Sequence, residues 1–179
     1  MRRKLSWILL FSTAIVVLNL YHAKQAKATA SELFTATTLG LGRFGDIDVG
    51  NGTVPPNFAH TGKVWLSVQK SKGLSDMYVQ SNVWQPGGST GWHTHPGHSL
   101  IVVTEGAVTE YEGNDPSCTP HVYTVGMGFV DPGGNHVHIL RNEGTVEAST
   151  LAVQLIPADA IRRIDADDPG NCHFSPRKD

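Results

Sequence analysis

The chain has 179 residues, with 16 acidic against 14 basic side chains, a length that suits one domain. Five of the basic residues and none of the acidic ones lie in the first thirty positions, so residues 31–179 carry 9 basic against 16 acidic side chains, a net of −7. That sign argues against nucleic acid as a partner and against docking on an anionic membrane surface.

The N-terminus opens with Arg2, Arg3 and Lys4, followed by an apolar run from Leu5 to Leu20 and small-residue sites at Ala26-Lys27-Ala28 and Ala28-Thr29-Ala30. A basic start, a short apolar run and an Ala-x-Ala site read as a secretory signal over residues 1–30, which implies a secreted or periplasmic protein. An uncleaved N-terminal anchor is the alternative, although the run is short for a span of about 20 apolar residues. No other segment suits a bilayer.

Residues 31–62, rich in Gly and Thr and broken by Pro55-Pro56, read as an extended arm with one strand around Phe44–Val49. Short runs of β-branched and aromatic residues follow at Val64–Gln69, Met77–Gln85, Leu100–Glu105, Ala107–Tyr111, His121–Val125, Gly128–Asp131, His136–Arg141 and Val146–Ile156. Gly and Pro clusters such as Pro86-Gly87-Gly88 and Pro132-Gly133-Gly134 separate most of them. This spacing predicts an all-β barrel or sandwich over residues 63–157, with an irregular tail over 158–179. Cys118 and Cys172 lie 54 residues apart with no Cys-x-x-Cys pair. In an oxidising compartment they form one disulfide, worth about 4 kcal/mol on the chain-entropy model; two unrelated free thiols are the alternative.

Two segments carry the candidate chemistry. His93 and His95 are two residues apart, as are His136 and His138, so within each pair both imidazoles project from one face of a strand. Two such pairs on facing strands make a transition-metal site.

The residues around these histidines resemble the cupin superfamily. Gly87, five residues, His93-Thr94-His95, three residues, Ser99, six residues and Gly106 match its first motif except that Ser99 stands where a glutamate is usual. Gly126, Pro132 and Gly134 match the second motif from the left, and His138 and Asn142 from the right, with one extra residue between. Counting from Pro132 puts Val137 at the ligand position; counting back from Asn142 puts His138 there. A one-residue shift turns a strand to its other face, so the two registers exclude each other. Valine cannot ligate, and Gly133-Gly134-Asn135 is a turn that tolerates an insertion. The ligand set is therefore read as His93, His95 and His138, with His136, His98 and Ser99 as additional ligands or supporting groups.

The resemblance, over roughly Val64 to Pro157, implies a single antiparallel jelly-roll β-barrel, a homodimer, and one divalent ion (Fe, Mn, Zn or Ni) in the barrel mouth. Without the glutamate, three neutral imidazoles leave the ion its full charge, a pattern similar to that of three-histidine non-haem iron dioxygenases. The implied function is a metal-dependent enzyme acting on a small organic molecule. A non-catalytic metal or small-ligand binding protein is the alternative, and an envelope protein with a vestigial pocket a third reading. Ile101 and Val103 share a strand face with Ser99 and suggest an apolar pocket floor. Trp84 and Trp92 read as packing, Glu105 and Glu110 as solvated charges, and Tyr78, Gln80 and Gln154 as candidate barrel lining. His60, His121 and His173 receive no role.

Overall fold

The computed structural model describes residues 28–53 and 64–174. Of the segment 1–30 read as a signal, residues 1–27 lie outside the described residues, as do Pro55-Pro56 and His60, whereas Thr29 is described and its Oγ1 accepts the Trp92 N–H. Twelve strands form: β1 (Glu32–Phe44), β2 (Ile47–Thr53), β3 (Trp65–Ser71), β4 (Ser75–Ser89), β5 (His93–Thr94), β6 (Ser99–Glu105), β7 (Ala107–Glu112), β8 (His121–Thr124), β9 (Gly128–Asp131), β10 (His138–Arg141), β11 (Ala148–Pro157) and β12 (Ile164–Asp165). Ten of them make one antiparallel sheet in the order β12-β5-β10-β4-β11-β6-β9, with β1 on β4, and with β7 between β10 and β8. This sheet curls into the jelly-roll barrel.

Two sequence expectations change. The arm holds two strands rather than one: β1 pairs with β4 along nearly its whole length, and the chain turns between Phe44 and Ile47, inside the segment read as a strand. Trp65–Ser71, placed by sequence at the start of the barrel, pairs instead with β2 in a separate two-stranded ribbon.

The barrel interior is graded. Along β6 and β11 alternate residues are buried, the period-2 pattern of a half-buried sheet. At one end the inward positions are apolar: Trp84, Val103, Val108, Phe129, Leu140 and Ala148 form the main core. Towards the other end the same face turns polar, and the pairings Gln154↔Ser99 and Ser99↔Asp131 set three buried polar side chains in one row across three strands. A second cluster of Trp92, Tyr111, Ile139 and Cys172 lies on the outer side of β10, under the C-terminal tail. The Cys118–Cys172 disulfide is formed, with Cα atoms 5.2 Å apart, and pins the tail there.

Two ties hold the termini to the barrel. Arg43 on β1 donates two hydrogen bonds of 2.8 Å to buried Asp76 on β4, and this guanidinium pulls the Asp76 carboxyl down to about 2. A carboxyl depressed below its ordinary 3.8 contributes stability above that pH and loses it as the pH falls towards 2. The wild-type melting temperature should therefore drop between about pH 4 and pH 2, whereas Asp76→Asn should start lower and fall less over that interval; parallel curves would contradict the assignment. Cys118→Ser/Cys172→Ser should lower the melting temperature by roughly 10 °C by calorimetry, from about 4 kcal/mol of lost constraint.

Candidate metal centre

One pairing sets the site. His138 at the start of β10 lies directly opposite His93 on β5, where cross-strand side chains sit close together. Their ring centroids are 4.5 Å apart, His95 lies 4.8 Å from His93, and all three histidines are buried. Potential ligand atoms of His93, His95 and His138 fall within 4.8 Å of one another. Val137 instead packs on the second cluster, under the tail. The extra residue is absorbed before β10, where Gly133 and Gly134 adopt φ of +67° and +68°. A Cβ at Gly133 would stand 2.2 Å from the Gly97 carbonyl oxygen, so a bulkier residue would push this turn off the His93–His95 segment. The Gly134 N–H donates to the His95 carbonyl at 2.6 Å, and Thr94 Oγ1 donates to the Gly134 carbonyl at 2.6 Å.

The tautomers suit ligation. His93 Nδ1 lies 2.9 Å from the Gly91 carbonyl oxygen, and His95 Nδ1 lies 2.6 Å from that of Arg162. A carbonyl only accepts, so each Nδ1 carries the proton and each Nε2 presents a lone pair. Burial, aided by the neighbouring His138, lowers the His93 ring well below its ordinary range; burial also lowers His95, and brings His138 to about 4. Neutral imidazole is the form that binds metal. Behind His138 is a polar layer: its Nδ1 is 3.2 Å from His136 Nδ1, 3.6 Å from Asp131 Oδ1 and 4.0 Å from Glu110 Oε1. Tyr123 donates to Glu110 Oε2 at 3.2 Å; burial raises the Glu110 carboxyl, and burial with the Glu110 charge pushes Tyr123 up to about 12. Three neutral imidazoles, two of them with Nε2 freed by a carbonyl on Nδ1, flanked by carboxylates, are a donor set that fits a divalent transition metal.

The triad opens on a cavity of about 50 Å³ lined by Ser99, Ile101, Gln80, Gln154, Trp84 and Arg162 among others. Arg162, partly buried, donates to Gln80 Oε1 at 2.5 Å and forms no ion pair among the described residues; burial and the adjacent Arg163 lower its pKa. Trp84 Nε1 and Gln154 Oε1 are buried without a hydrogen-bond partner.

The sequence-predicted residues divide accordingly. His136 precedes β10 rather than sharing its strand, and joins Glu110 and His138 in a second cluster instead of the triad. Ser99 is buried in the cavity wall. His98 lines a different, outer cleft beside Leu155. Tyr78 does not line the cavity, whereas Gln80 and Gln154 do. Glu110 is buried, not solvated, because Tyr123 and the β7–β10 pairing enclose it. Beside the triad stands a carboxylate that the sequence reading did not single out: Asp131, 1% exposed, whose Oδ2 is 3.6 Å from His95 Nε2. Its signal was present in the alternation of β9, which puts Phe129 and Asp131 on the inner face. Arg162 could not be found this way, because its place depends on how the tail folds back.

A family model for the cupin domain matches residues 82–154, and these residues form a cupin domain. Solved structures similar to the chain include an uncharacterised conserved protein with a double-stranded β-helix domain from Klebsiella pneumoniae subsp. pneumoniae, 22% identical over 51% of this chain and 75% of that one, with a TM-score of 0.43. An oxalate oxidase is 22% identical over 46% of each chain, with a TM-score of 0.39. A conserved protein of unknown function from Streptococcus pyogenes is 18% identical over 45% of this chain and 65% of that one, with a TM-score of 0.39. The match thus spans about half of the oxalate oxidase and under two thirds of the streptococcal protein. No curated protein matches the chain.

In long-range ¹H–¹⁵N spectra of metal-free protein, His93 and His95 should appear as neutral Nδ1–H tautomers at pH 7. Because burial lowers their pKa values, they should still be neutral at pH 6, below the ordinary midpoint of 6.5. Protonation near that midpoint would contradict the buried, carbonyl-bonded geometry.

Proposed function

We propose that this protein is a metal-dependent enzyme acting on a small organic acid, with oxidation of the dioxygenase type as its leading reaction. The observation that carries this reading is the convergence of three buried, neutral imidazoles on a small cavity that also holds the Arg162 guanidinium, which bonds to Gln80 and forms no ion pair among the described residues. His93, His95 and His138 would hold the ion, and a bound divalent metal supplies Lewis acidity and, if redox-active, access to dioxygen.

The chain's own residues do the rest. The Arg162 guanidinium receives a substrate carboxylate, since a partly buried cation without a counterion favours an anionic ligand. The Trp84 N–H offers a further donor and the Gln154 carbonyl a further acceptor, both without partners. Ile101, Leu140 and Ala152 form an apolar wall that limits water at the reacting centre. A cavity of about 50 Å³ suits a small substrate. Gly91 and Arg162 fix two imidazoles through their carbonyls, which keeps each Nε2 directed inward. His136, with its Nδ1 3.2 Å from that of His138, orients this ring, and Glu110 and Tyr123 lie behind the pair.

The same reading places the protein in an oxidising compartment, secreted or periplasmic, which the Cys118–Cys172 pairing supports. It also includes a homodimer, supported by the outward-facing Leu100, Val102, Val130, Leu151 and Val153 on adjoining strands.

Elemental analysis of protein purified without chelator or affinity metal, beside His93→Ala/His95→Ala, tests the centre. Near-stoichiometric iron, lost in the variant, with oxygen consumption on small carboxylic acids supports the proposal. Zinc, manganese or nickel without oxygen consumption would replace oxidation by a non-oxidative or purely binding role. No metal even after reconstitution would overturn it. Arg162→Gln should raise the KM for a carboxylate substrate about 10- to 100-fold, the loss of a charge-assisted hydrogen bond, and should leave a neutral amide analogue unaffected.

A further inference from the structure

We infer that Asp131 supplies a carboxylate ligand to the metal centre, reaching from the neighbouring strand to the place that Ser99 is too short to fill. The inference rests on the metal reading above and adds to it the composition and charge of the centre.

Three observations carry it. The first is register. Ser99 on β6 pairs directly with Asp131 on β9, and both side chains face the barrel interior. Directly opposed side chains start about 5 Å apart, so a carboxylate lost from one strand is regained from the next without moving the backbone.

The second is an unmet charge. Asp131 is 1% exposed. Its Oδ1 accepts the Gly133 N–H at 2.8 Å, which fixes the plane of the group. Among the described residues its Oδ2 is buried with no hydrogen-bond partner and no Lys or Arg pairs with the group, whose Oδ1 has His138 Nδ1 at 3.6 Å and His136 Nδ1 at 3.7 Å. A buried carboxylate is retained when it is paired or ligates a metal.

The third is what Oδ2 faces. His95 Nε2 is 3.6 Å away, and its proton is on the other nitrogen, committed to the Arg162 carbonyl. Two lone-pair atoms thus confront each other in a dry site, an arrangement that is repulsive unless a cation lies between them. Their spacing is close to that of two ligands each about 2.1 Å from one ion. Glu110, the other buried carboxylate nearby, lies on the Nδ1 side of His138 with Asp131 Oδ1, but only Asp131, through Oδ2, also reaches His95 Nε2. A divalent ion held by three imidazoles and Asp131 carries a net +1, as it would with the glutamate that this chain lacks.

The test uses Co²⁺ as the probe, with affinity measured by chelator competition and coordination read from the visible spectrum. Asp131→Asn keeps the acceptor for Gly133 and removes only the charge at Oδ2. It should weaken Co²⁺ binding by at least about 100-fold, beyond the usual effect of losing a merely supporting group, and should alter the spectrum. Asp131→Asn/Ser99→Glu should regain at least tenfold and return the spectrum towards that of the wild type. Wild-type affinity in Asp131→Asn, or weaker binding with an unchanged spectrum, would overturn the inference while the three-histidine centre stands. A wild type that binds no Co²⁺, or a His93→Ala/His95→Ala variant that binds it fully, would instead overturn the metal reading itself. If Asp131→Asn does not fold, a crystal structure of the Co²⁺-loaded wild type decides, by whether Asp131 Oδ2 is bonded to the ion.

Discussion

Everything at the mouth of this barrel depends on one strand register, His138 opposite His93. Strand alternation makes that register all-or-nothing: a slip of one residue would bring Val137 or Ile139 inward and send the imidazole under the tail. The register is secured from two sides. Gly133 and Gly134 take up the extra residue before β10 in conformations that side chains resist. After the strand, buried Asn142 donates to the carbonyls of Trp84 and Val146 and accepts from the Gly144 N–H, so the end of β10 is clamped to its neighbours. Four residues of strand are thereby held between two turns that leave little freedom.

Around this register the interior changes character within one sheet. The same inward face that carries Val103, Phe129 and Ala148 in the core carries Ser99, Gln154 and Asp131 at the mouth. The apolar end stabilises the barrel by burial, and that stability tolerates several polar atoms without partners at the other end, an expense that only a ligand would offset. Three of the six unpartnered buried side-chain atoms among the described residues, Trp84 Nε1, Gln154 Oε1 and Asp131 Oδ2, belong to residues lining the histidine cavity.

Much of this was legible in the sequence. The alternation of β6 and β11, the Gly–Pro punctuation and the two histidine pairs specify an all-β barrel with a cluster of imidazoles, and the resemblance to the cupin motifs selects His138 from the second pair. What escaped had physical reasons. Glu110 reads as a surface charge because β7 alternates weakly, with Val108 to Tyr111 all buried: one face meets the core and the other meets the tail. The β1 strand was hidden by Gly and Thr, which pack against β4 without an apolar signature. Asp131 was obscured because its role is set by its cross-strand neighbour, and pairing is not written in a linear spacing. Arg162 belongs to a polar stretch with no periodicity, and only the return of the tail over β5 brings it to the cavity.

The returning tail has a consequence for how the centre matures. Arg162 gives His95 the carbonyl that fixes its tautomer, and ten residues later Cys172 is bonded to Cys118. The tail is therefore as much a part of the ligand set as the strands, although it contributes no imidazole. A chain whose tail has not yet closed presents a His95 free to rotate and to carry its proton on either nitrogen. The disulfide at Cys172 and the carbonyl at Arg162 thus belong to one returning segment, so closing the tail and fixing the His95 ring are a single structural event.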